Sequence, residues 1–247
     1  MASHGKSGVI WINASDFSGI ANSMSLSIDN DVAEATSFAD AAKVFLVGDS
    51  TFTFSYEGFF DATDSATGLD TISHAAAITN MGNQNVLFAP LGVADGVEPV
   101  YELLCKWTSR PLVVTIGDVT RVSGTFQGHT AAGLSRGYVI MNETVTATPT
   151  GTGRLIGATT TPQVTLATYR VTALTGTVTV TNEKSTDDGS GDAYAAVANL
   201  ASGSIAADSI VQKTDTASAE QWARAVVTAG PTTAAVLVTA TNALPLG

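Results

Sequence analysis

The chain has 247 residues, enough for one large all-β domain or two domains of ordinary size. It carries 11 Lys and Arg against 22 Asp and Glu, a formal net charge of −11, which argues against a protein that gains affinity by neutralising nucleic-acid phosphates. No uninterrupted apolar run approaches the ~20 residues that span a bilayer, so we expect a soluble protein.

The first residues, MASHGKSGVIWINAS, contain one lysine, Lys6, and no apolar segment long enough for a signal peptide. We therefore expect synthesis in the cytosol without export by that route. Cys105 is the only cysteine, which excludes an intrachain disulfide and a cysteine-clustered zinc site. It is interpreted as a buried small hydrophobe. The three histidines, His4, His74 and His129, are too scattered to suggest a metal site.

Ser, Thr and 23 glycines dominate a composition that favours short strands and turns. In residues 23–28, Met24, Leu26 and Ile28 alternate with serines, and in residues 51–56 aromatic residues alternate with Thr and Ser. This period of two predicts two strands, each with an apolar face toward a core and a small polar face. The predicted strands flank a long acidic loop, residues 29–49.

Two segments instead have helical spacing, residues 67–78 and residues 192–201, and each follows an acidic, turn-rich stretch that offers N-cap residues. The order strand, acidic loop, helix, strand thus occurs twice at an offset near 125 residues, which suggests an internal duplication. Chance recurrence of this common order is the alternative. The Thr, Gly and Pro-rich stretch TATPTGTGRLIGATTTPQVT predicts a linker, and we place two domains at 1–155 and 156–247.

Sequence motifs for phosphate, dinucleotide or calcium binding are present only as incomplete matches. GKS at 5–7 lacks the upstream glycine of a phosphate-binding loop, and GTGRLIG at 151–157 has the wrong spacing for a dinucleotide fingerprint. The acidic run DDGSGD at 187–192 does not fit the EF-hand pattern, so a solvated loop that caps the following helix is favoured over a calcium site. No nucleophile and base can be paired. The sequence therefore favours a structural or interaction protein that is not an enzyme and needs no cofactor or metal.

The stretch SIDNDVAEATSFAD followed by KVFLVGDSTFTFSYEGFFD resembles the tail tube (major tail) proteins of long, non-contractile-tailed bacteriophages. In that family a strand leads through a loop with a Glu, a Thr and a Phe, past a glycine, into a strand that ends in a Glu-Gly and a Phe-Asp pair. The matching positions are Ala33, Glu34, Thr36, Phe38, Gly48, Glu57, Gly58, Phe60 and Asp61.

The distal half resembles the same family in a strand, a Ser and Asp-containing turn, a short helix, and an aromatic and Arg on a later strand. The matching positions are Ser185, Asp187, Asp188, Gly189, Trp222 and Arg224. Lys184 departs from the pattern, because a His is frequent at that position.

The resemblance implies a mainly β fold, a β-sandwich or split-barrel module with a short flanking helix, in two tandem copies. It also implies that strands of neighbouring subunits join into a ring with an inner β-barrel, and that rings stack into a tube through which DNA is ejected. A closed barrel removes exposed sheet edges, and a negative lumen would keep DNA from sticking.

The implied partners are copies of the chain itself, a tape-measure protein, a tail-terminator protein and distal tail proteins, with no membrane. DNA would pass without specific binding, and the place would be the virion tail after synthesis in the host cytoplasm. Three chains would close a pseudo-hexameric ring if both halves are tube modules, and six would if the second half is a decorating domain. We favour three.

The acidic loop is expected to contact the neighbouring subunit or the next ring. Phe38 would be the anchor, because buried aromatic residues dominate interface energies, and the alternative is that it packs under its own loop. The candidate contact residues are Asp29, Asp31, Glu34, Thr36, Phe38, Asp40, Lys43 and Phe45.

Two other functions compete with this interpretation. One is a capsid-decorating or tail-terminator protein, which shares the oligomeric β architecture without repeated stacking. The other is a carbohydrate-binding β-sandwich module, but none of the tryptophans, Trp11, Trp107 and Trp222, lies in a loop with neighbouring aromatic residues and carboxylates.

Overall fold

A computed structural model describes residues 7–36, 42–59, 83–94, 99–114, 120–129, 133–156, 164–215 and 221–243. Over these residues the chain consists almost entirely of antiparallel strands, which confirms the predicted mainly β class. The described strands are β1 Val9–Ile12, β2 Ser15–Asp16, β3 Ala21–Glu34, β4 Phe45–Phe59, β5 Gln84–Ala89, β6 Pro99–Ser109, β7 Leu112–Val113, β8 Arg121–His129, β9 Leu134–Val145, β10 Arg154–Leu155, β11 Val164–Thr175, β12 Val178–Ser185, β13 Ala195–Ala196, β14 Ser204–Ile205, β15 Ser209–Asp215, β16 Trp222–Ala229 and β17 Thr233–Ala243.

The chain packs into two compact units that are discontinuous in sequence. Unit 1 contains the described residues within 1–19, 85–103 and 135–243, and unit 2 contains those within 20–84 and 104–134. The sequence-based division into 1–155 and 156–247 follows chain order, whereas unit 1 spans residue 155.

Unit 1 contains two antiparallel sheets that share a core, as in a β-sandwich. The first runs in the order β15-β11-β17-β9-β6-β5-β1-β2, and the second in the order β10-β16-β12-β13 with β14 also paired to β12. Alternate residues of β11, β12, β16 and β17 point inward, among them Tyr169, Val180, Ala225 and Val238. This alternation is the expected result of period-two strands with one buried face.

A buried polar cluster lies in the first sheet of unit 1. The Arg170 guanidinium on β11 donates two hydrogen bonds to the Glu102 carboxylate on β6, at 2.6 and 2.7 Å, and both side chains are almost completely buried. Arg170 also donates to the side chain of Asn85, and Thr239 on β17 donates to Glu102 at 2.5 Å. The charges are therefore paired and hydrogen-bonded, which is the condition for burying them at all.

Unit 2 is organised around the sheet β3-β4-β8, in which β8 also pairs with β7 and with the C-terminal part of β6. Phe52, Phe54 and Tyr56 of β4 are buried, as the alternation predicts. They pack with Phe126 of β8 and Trp107 of β6, whose rings have centroids 4.6 Å apart.

The prediction of a helix at residues 192–201 is wrong. This segment contains the short strand Ala195–Ala196, paired with β12, and a single 3-10 turn, Ala198–Leu200. Tyr194 does not lie on a helical face with Val197, because its hydroxyl donates to Asp188 at 2.6 Å and its ring lies under Arg224. Pairing with a sheet edge and burial of Leu200 outweigh the weak preference of a short alanine-rich stretch, since helix nucleation is costly. The helix predicted at 67–78 lies outside the described residues.

The strands that suggested a duplication are present as β4, β5, β12 and β15, but they are paired differently. β4 lies between β3 and β8, whereas β12 lies beside β16 with two short strands on its other side. β5 is an interior strand and β15 an edge strand. The second copy also lacks its predicted helix, so the described residues do not repeat the predicted order.

Candidate assembly surface

The longest hairpin of the described chain is formed by β3 and β4, with 14 and 15 residues. The two predicted strands are thus confirmed, but the predicted loop at 29–49 is mostly strand, because pairing continues from Ala21 opposite Gly58 to Glu34 opposite Phe45. The acidic residues of this segment can lie in a strand because none of residues 27–34 is buried, so their charges stay in water. Cross-strand hydrogen bonds, such as that from Ser50 to Asn30, add to the pairing.

Strand β3 is an unusual edge strand. Among the described strands it pairs only with β4, so the backbone groups along its other edge have no strand partner there. None of its 14 residues is fully buried. Long exposed edges are templates for pairing with another chain, and proteins usually shorten or cover them.

One face of the hairpin is mainly apolar, and the pair Asn30 and Ser50 interrupts it. Directly opposite residues share a face, so Met24 lies beside Tyr56, Leu26 beside Phe54 and Ile28 beside Phe52. Near Met24 this face belongs to the core, but at Ile28 the side chain is already 50% exposed.

A β-bulge extends the apolar face toward the tip. Between Asn30 and Val32 the register shifts, with one extra residue in β4 near Gly48. The extra residue places Phe45 on the face that carries Phe52 and Phe54. Val32 lies on the same face of β3, beyond Asn30, so apolar side chains occur on this face outside the core.

The outer part of the hairpin, residues 28–36 and 42–50, is here named the hairpin arm. Its large apolar side chains are at least two-fifths exposed: Ile28, Val32, Val44, Phe45 and Leu46. A cluster of exposed apolar side chains on an unpaired edge is characteristic of an interaction surface, whereas single exposed hydrophobic residues are ordinary.

The opposite face of the hairpin is polar and acidic. Ser25 and Ser55 face each other with their hydroxyls 2.8 Å apart, and Ser27 donates to Asp29 at 3.1 Å. Asp31 continues this face toward the tip. Beyond the β-bulge, Leu46 lies on this face opposite Ala33, and Glu34 lies on the other face opposite Phe45, so apolar and charged side chains occur on both faces of the outer arm.

The predicted contact residues fall on this arm wherever they are described. Asp29 and Asp31 are exposed on β3, and Phe45 is 55% exposed at the start of β4. Glu34 forms an exposed ion pair with Lys43 at 2.9 Å, and Thr36 donates to Glu34 and accepts from the Val44 amide. These contacts close the arm near its tip. Phe38 and Asp40 lie outside the described residues, and the contact role of the whole set stays a prediction.

The sequence analysis missed Ile28, Val32 and Leu46 as members of the surface. The sequence did contain a signal of this surface. Ile28 and Val32 are separated by an even number of residues, which puts both on one face of a strand, and the apolar run FLV at 45–47 lies across from them. The acidic residues between them suggested a loop and concealed the alternation.

The acidic turn at 187–192 is satisfied from within the chain. The Asp187 carboxylate accepts backbone hydrogen bonds from Ser190, Gly191 and Asp192, at 2.5 to 3.0 Å. These bonds, first that of Asp192, lower the pKa of Asp187. Its oxygens thus accept hydrogen bonds from N–H groups of its own turn. The loop is exposed, but the prediction that it caps a helix is wrong, because a short strand and a 3-10 turn follow it.

Three other places in the described chain were candidates for a site: a metal-ligand cluster, the cysteine and a cavity. The described residues contain no cluster of three or more His, Cys, Asp or Glu that could hold a metal ion. Cys105 is buried, as predicted, and burial raises the pKa of its thiol to about 12. A cavity of about 470 Å³ in unit 2 is lined by residues such as Thr51, Lys106 and Gln127, with no carboxylate or aromatic residue in its described lining.

Within the described residues, no helix is long and apolar enough to cross a membrane.

No protein-family model matches the sequence, and no curated protein matches it. Among solved structures, a chain in the virion of a native gene transfer agent matches with a TM-score of 0.44 and 12% identity, over 54% of this chain and 97% of that one. A chain in the tail of the empty gene transfer agent particle, refined with six-fold symmetry, matches with a TM-score of 0.42 and 14% identity, over 54% and 98%. The SPP1 Dit protein, described as a hub of the adsorption apparatus, matches over 95% of this chain and 98% of its own, with a TM-score of 0.34 and 12% identity. Because these TM-scores lie below 0.5, they assign this chain neither a family nor a role.

Proposed function

We propose that this chain is a structural protein of a bacteriophage virion, a tail tube subunit that assembles with copies of itself into stacked rings. The observation that carries the proposal is the hairpin arm, a long strand edge that has no partner among the described strands and carries exposed apolar side chains. Both features favour burial against another polypeptide, since backbone pairing along β3 and coverage of Ile28, Val32 and Phe45 would stabilise the same contact.

The sequence resemblance supports the choice of a tail tube among possible assemblies. Several residues that carry it lie on this hairpin, including Ala33, Glu34 and Thr36 near the tip and Glu57 and Gly58 at the base. The Ser, Thr and Asp side chains of the opposite face suit an aqueous, negatively charged lumen that DNA passes without binding. The tube would join tape-measure, terminator and distal tail proteins in the virion tail, and the chain's role would be structural, not enzymatic.

Electron microscopy of the purified chain across a concentration series tests the proposal. Hollow tubes or rings with a regular axial repeat are expected, and averaging would separate rings of three chains from rings of six. Particles that remain monomeric at every concentration would contradict self-assembly and would favour a decorating or sugar-binding module.

A matched pair of variants tests whether the arm carries the assembly. Val32→Asp places a charge on the exposed apolar face and should abolish tubes, because an unpaired charge would have to be buried in the contact. Leu155→Asp alters a similarly exposed side chain on β10 of unit 1 and should leave assembly unchanged. Tubes formed equally well by both variants would exclude the arm.

A further inference from the structure

A buried lysine and a buried aspartate meet inside unit 1. Lys184 extends inward from β12 in the second sheet, and Asp215 ends β15 at the edge of the first sheet. Their side chains are 0% and 2% exposed, and Nζ of Lys184 lies 3.6 Å from Oδ2 of Asp215. β12 and β15 are not hydrogen-bonded neighbours, so any bond between these side chains would link the two sheets.

The contact differs from an optimised buried ion pair. Arg170 and Glu102 form a bidentate pair at 2.6 and 2.7 Å, whereas the Lys184 to Asp215 distance exceeds normal hydrogen-bond length. Nζ instead donates to the Thr165 hydroxyl at 2.7 Å, and Oδ1 of Asp215 accepts from the Asn199 amide at 3.4 Å. The amine is thus held beside the carboxyl group, with Nζ 3.6 Å from Oδ2.

Burial makes the neutral forms of this pair accessible. Removing two charges from water is costly, and transfer of one proton from the ammonium to the carboxylate eliminates both charges. The products are a free amine, which is a nucleophile, and a carboxylic acid, which is its electrophile. Arg170 offers no such route, because a guanidinium stays protonated in proteins.

We propose that Lys184 and Asp215 condense into an intramolecular isopeptide bond that cross-links the two sheets of unit 1. Nζ attacks Cγ of the protonated Asp215, the Nζ–Cγ bond forms and the Cγ–Oδ2 bond breaks. Oδ2 leaves as water with the carboxyl proton and one proton from Nζ, so no oxidant or further reactant is needed. Asn199 stabilises the charge that develops on Oδ1, and Thr165 orients the amine.

Mass spectrometry of the full-length folded protein tests the bond. The chain should be lighter than its sequence by one water molecule. Trypsin should fail to cleave after the acylated Lys184 and should release a branched peptide in which residues 171–213 are joined to residues 214–224. A chain at its full sequence mass that is cleaved after Lys184 would overturn the proposal, whether or not the protein assembles.

Variants separate this bond from general effects of buried charge. Lys184→Arg should have its full sequence mass, and Thr165→Val should form the bond more slowly. Glu102→Gln, at the other buried pair, should keep the loss of water. If Lys184→Arg fails to fold, the control is the wild-type chain, synthesised chemically and kept unfolded in denaturant throughout. This sample should show no loss of water, because the bond requires the folded geometry. Loss of water in that sample would overturn the proposal.

Discussion

Gly58 at the base of the hairpin shows how one residue fixes the position of a strand. A Cβ at this position would lie 2.5 Å from the Ile20 carbonyl oxygen, which accepts a hydrogen bond from the next amide, Phe59. The glycine in the Glu-Gly motif is therefore explained by close approach of two backbone segments.

Gly58→Ala should lower the free energy of unfolding by about 1–3 kcal/mol, the usual cost of forcing extra atoms into a packed site. Urea unfolding followed by tryptophan fluorescence would measure it, since Trp107 lies in the same unit. Gly19→Ala is the control, because nothing lies within 4 Å of its added Cβ. Equal effects of the two substitutions would contradict the steric explanation.

Arg170 and Arg121 each form an ion pair with one glutamate, one pair buried and the other exposed. Comparing them tests how burial changes the contribution of an ion pair to the free energy of unfolding. The Arg170 to Glu102 pair is 0% and 1% exposed, and the Arg121 to Glu57 pair is 45% and 43% exposed. Arg170→Met should cost about 3–5 kcal/mol, because Glu102 would keep a buried charge without its main partner. Arg121→Met should cost at most about 1 kcal/mol. Thermal and urea unfolding of both variants would check this, and similar losses would contradict it.

The stability of the turn at 185–192 should depend on pH, because the Asp187 carboxylate holds it. Backbone N–H groups lower the folded pKa of Asp187 below the usual range of an aspartate. The turn is therefore fully stabilised by the carboxylate above the unfolded pKa, and that contribution is lost as the pH falls through the folded pKa.

Amide exchange or NMR of residues 186–192 should show the turn loosening only in acid, as the pH falls below the pKa of an unfolded aspartate and through the lowered folded pKa of Asp187. Asp187→Asn should loosen it at neutral pH and remove that pH dependence. A turn equally ordered in the variant at neutral pH would show that the carboxylate does not hold it.

The same elements show what the sequence could predict. The period-two alternation of TFTFSY located β4 and its buried face, since packing there obeys the local pattern. The alanine-rich segment at 192–201 was misassigned because its structure depends on a sheet edge and on Asp188 and Arg224, which local spacing does not reveal. The β-bulge near Gly48 was also invisible, and it alone places Phe45 on the apolar face.

At the scale of the whole molecule, the sequence predicted the mainly β class but not the interleaved units. Pairings such as β6 with β8 or β11 with β17 join residues far apart in the chain, and no period in the sequence encodes them. The buried partners Arg170 with Glu102 and Lys184 with Asp215 were missed for the same reason, because charged residues are ordinarily expected at the surface.

Amide hydrogen exchange in assembled and dispersed protein tests the central claim most directly, that the chain assembles through the hairpin arm. Peptides from residues 21–36 and 42–52 should exchange more slowly in the assembled form, because β3 gains a partner along its open edge. Peptides around Arg170 should exchange equally in both forms, since that strand is already buried. Assemblies in which the arm exchanges as fast as in dispersed protein would contradict the account.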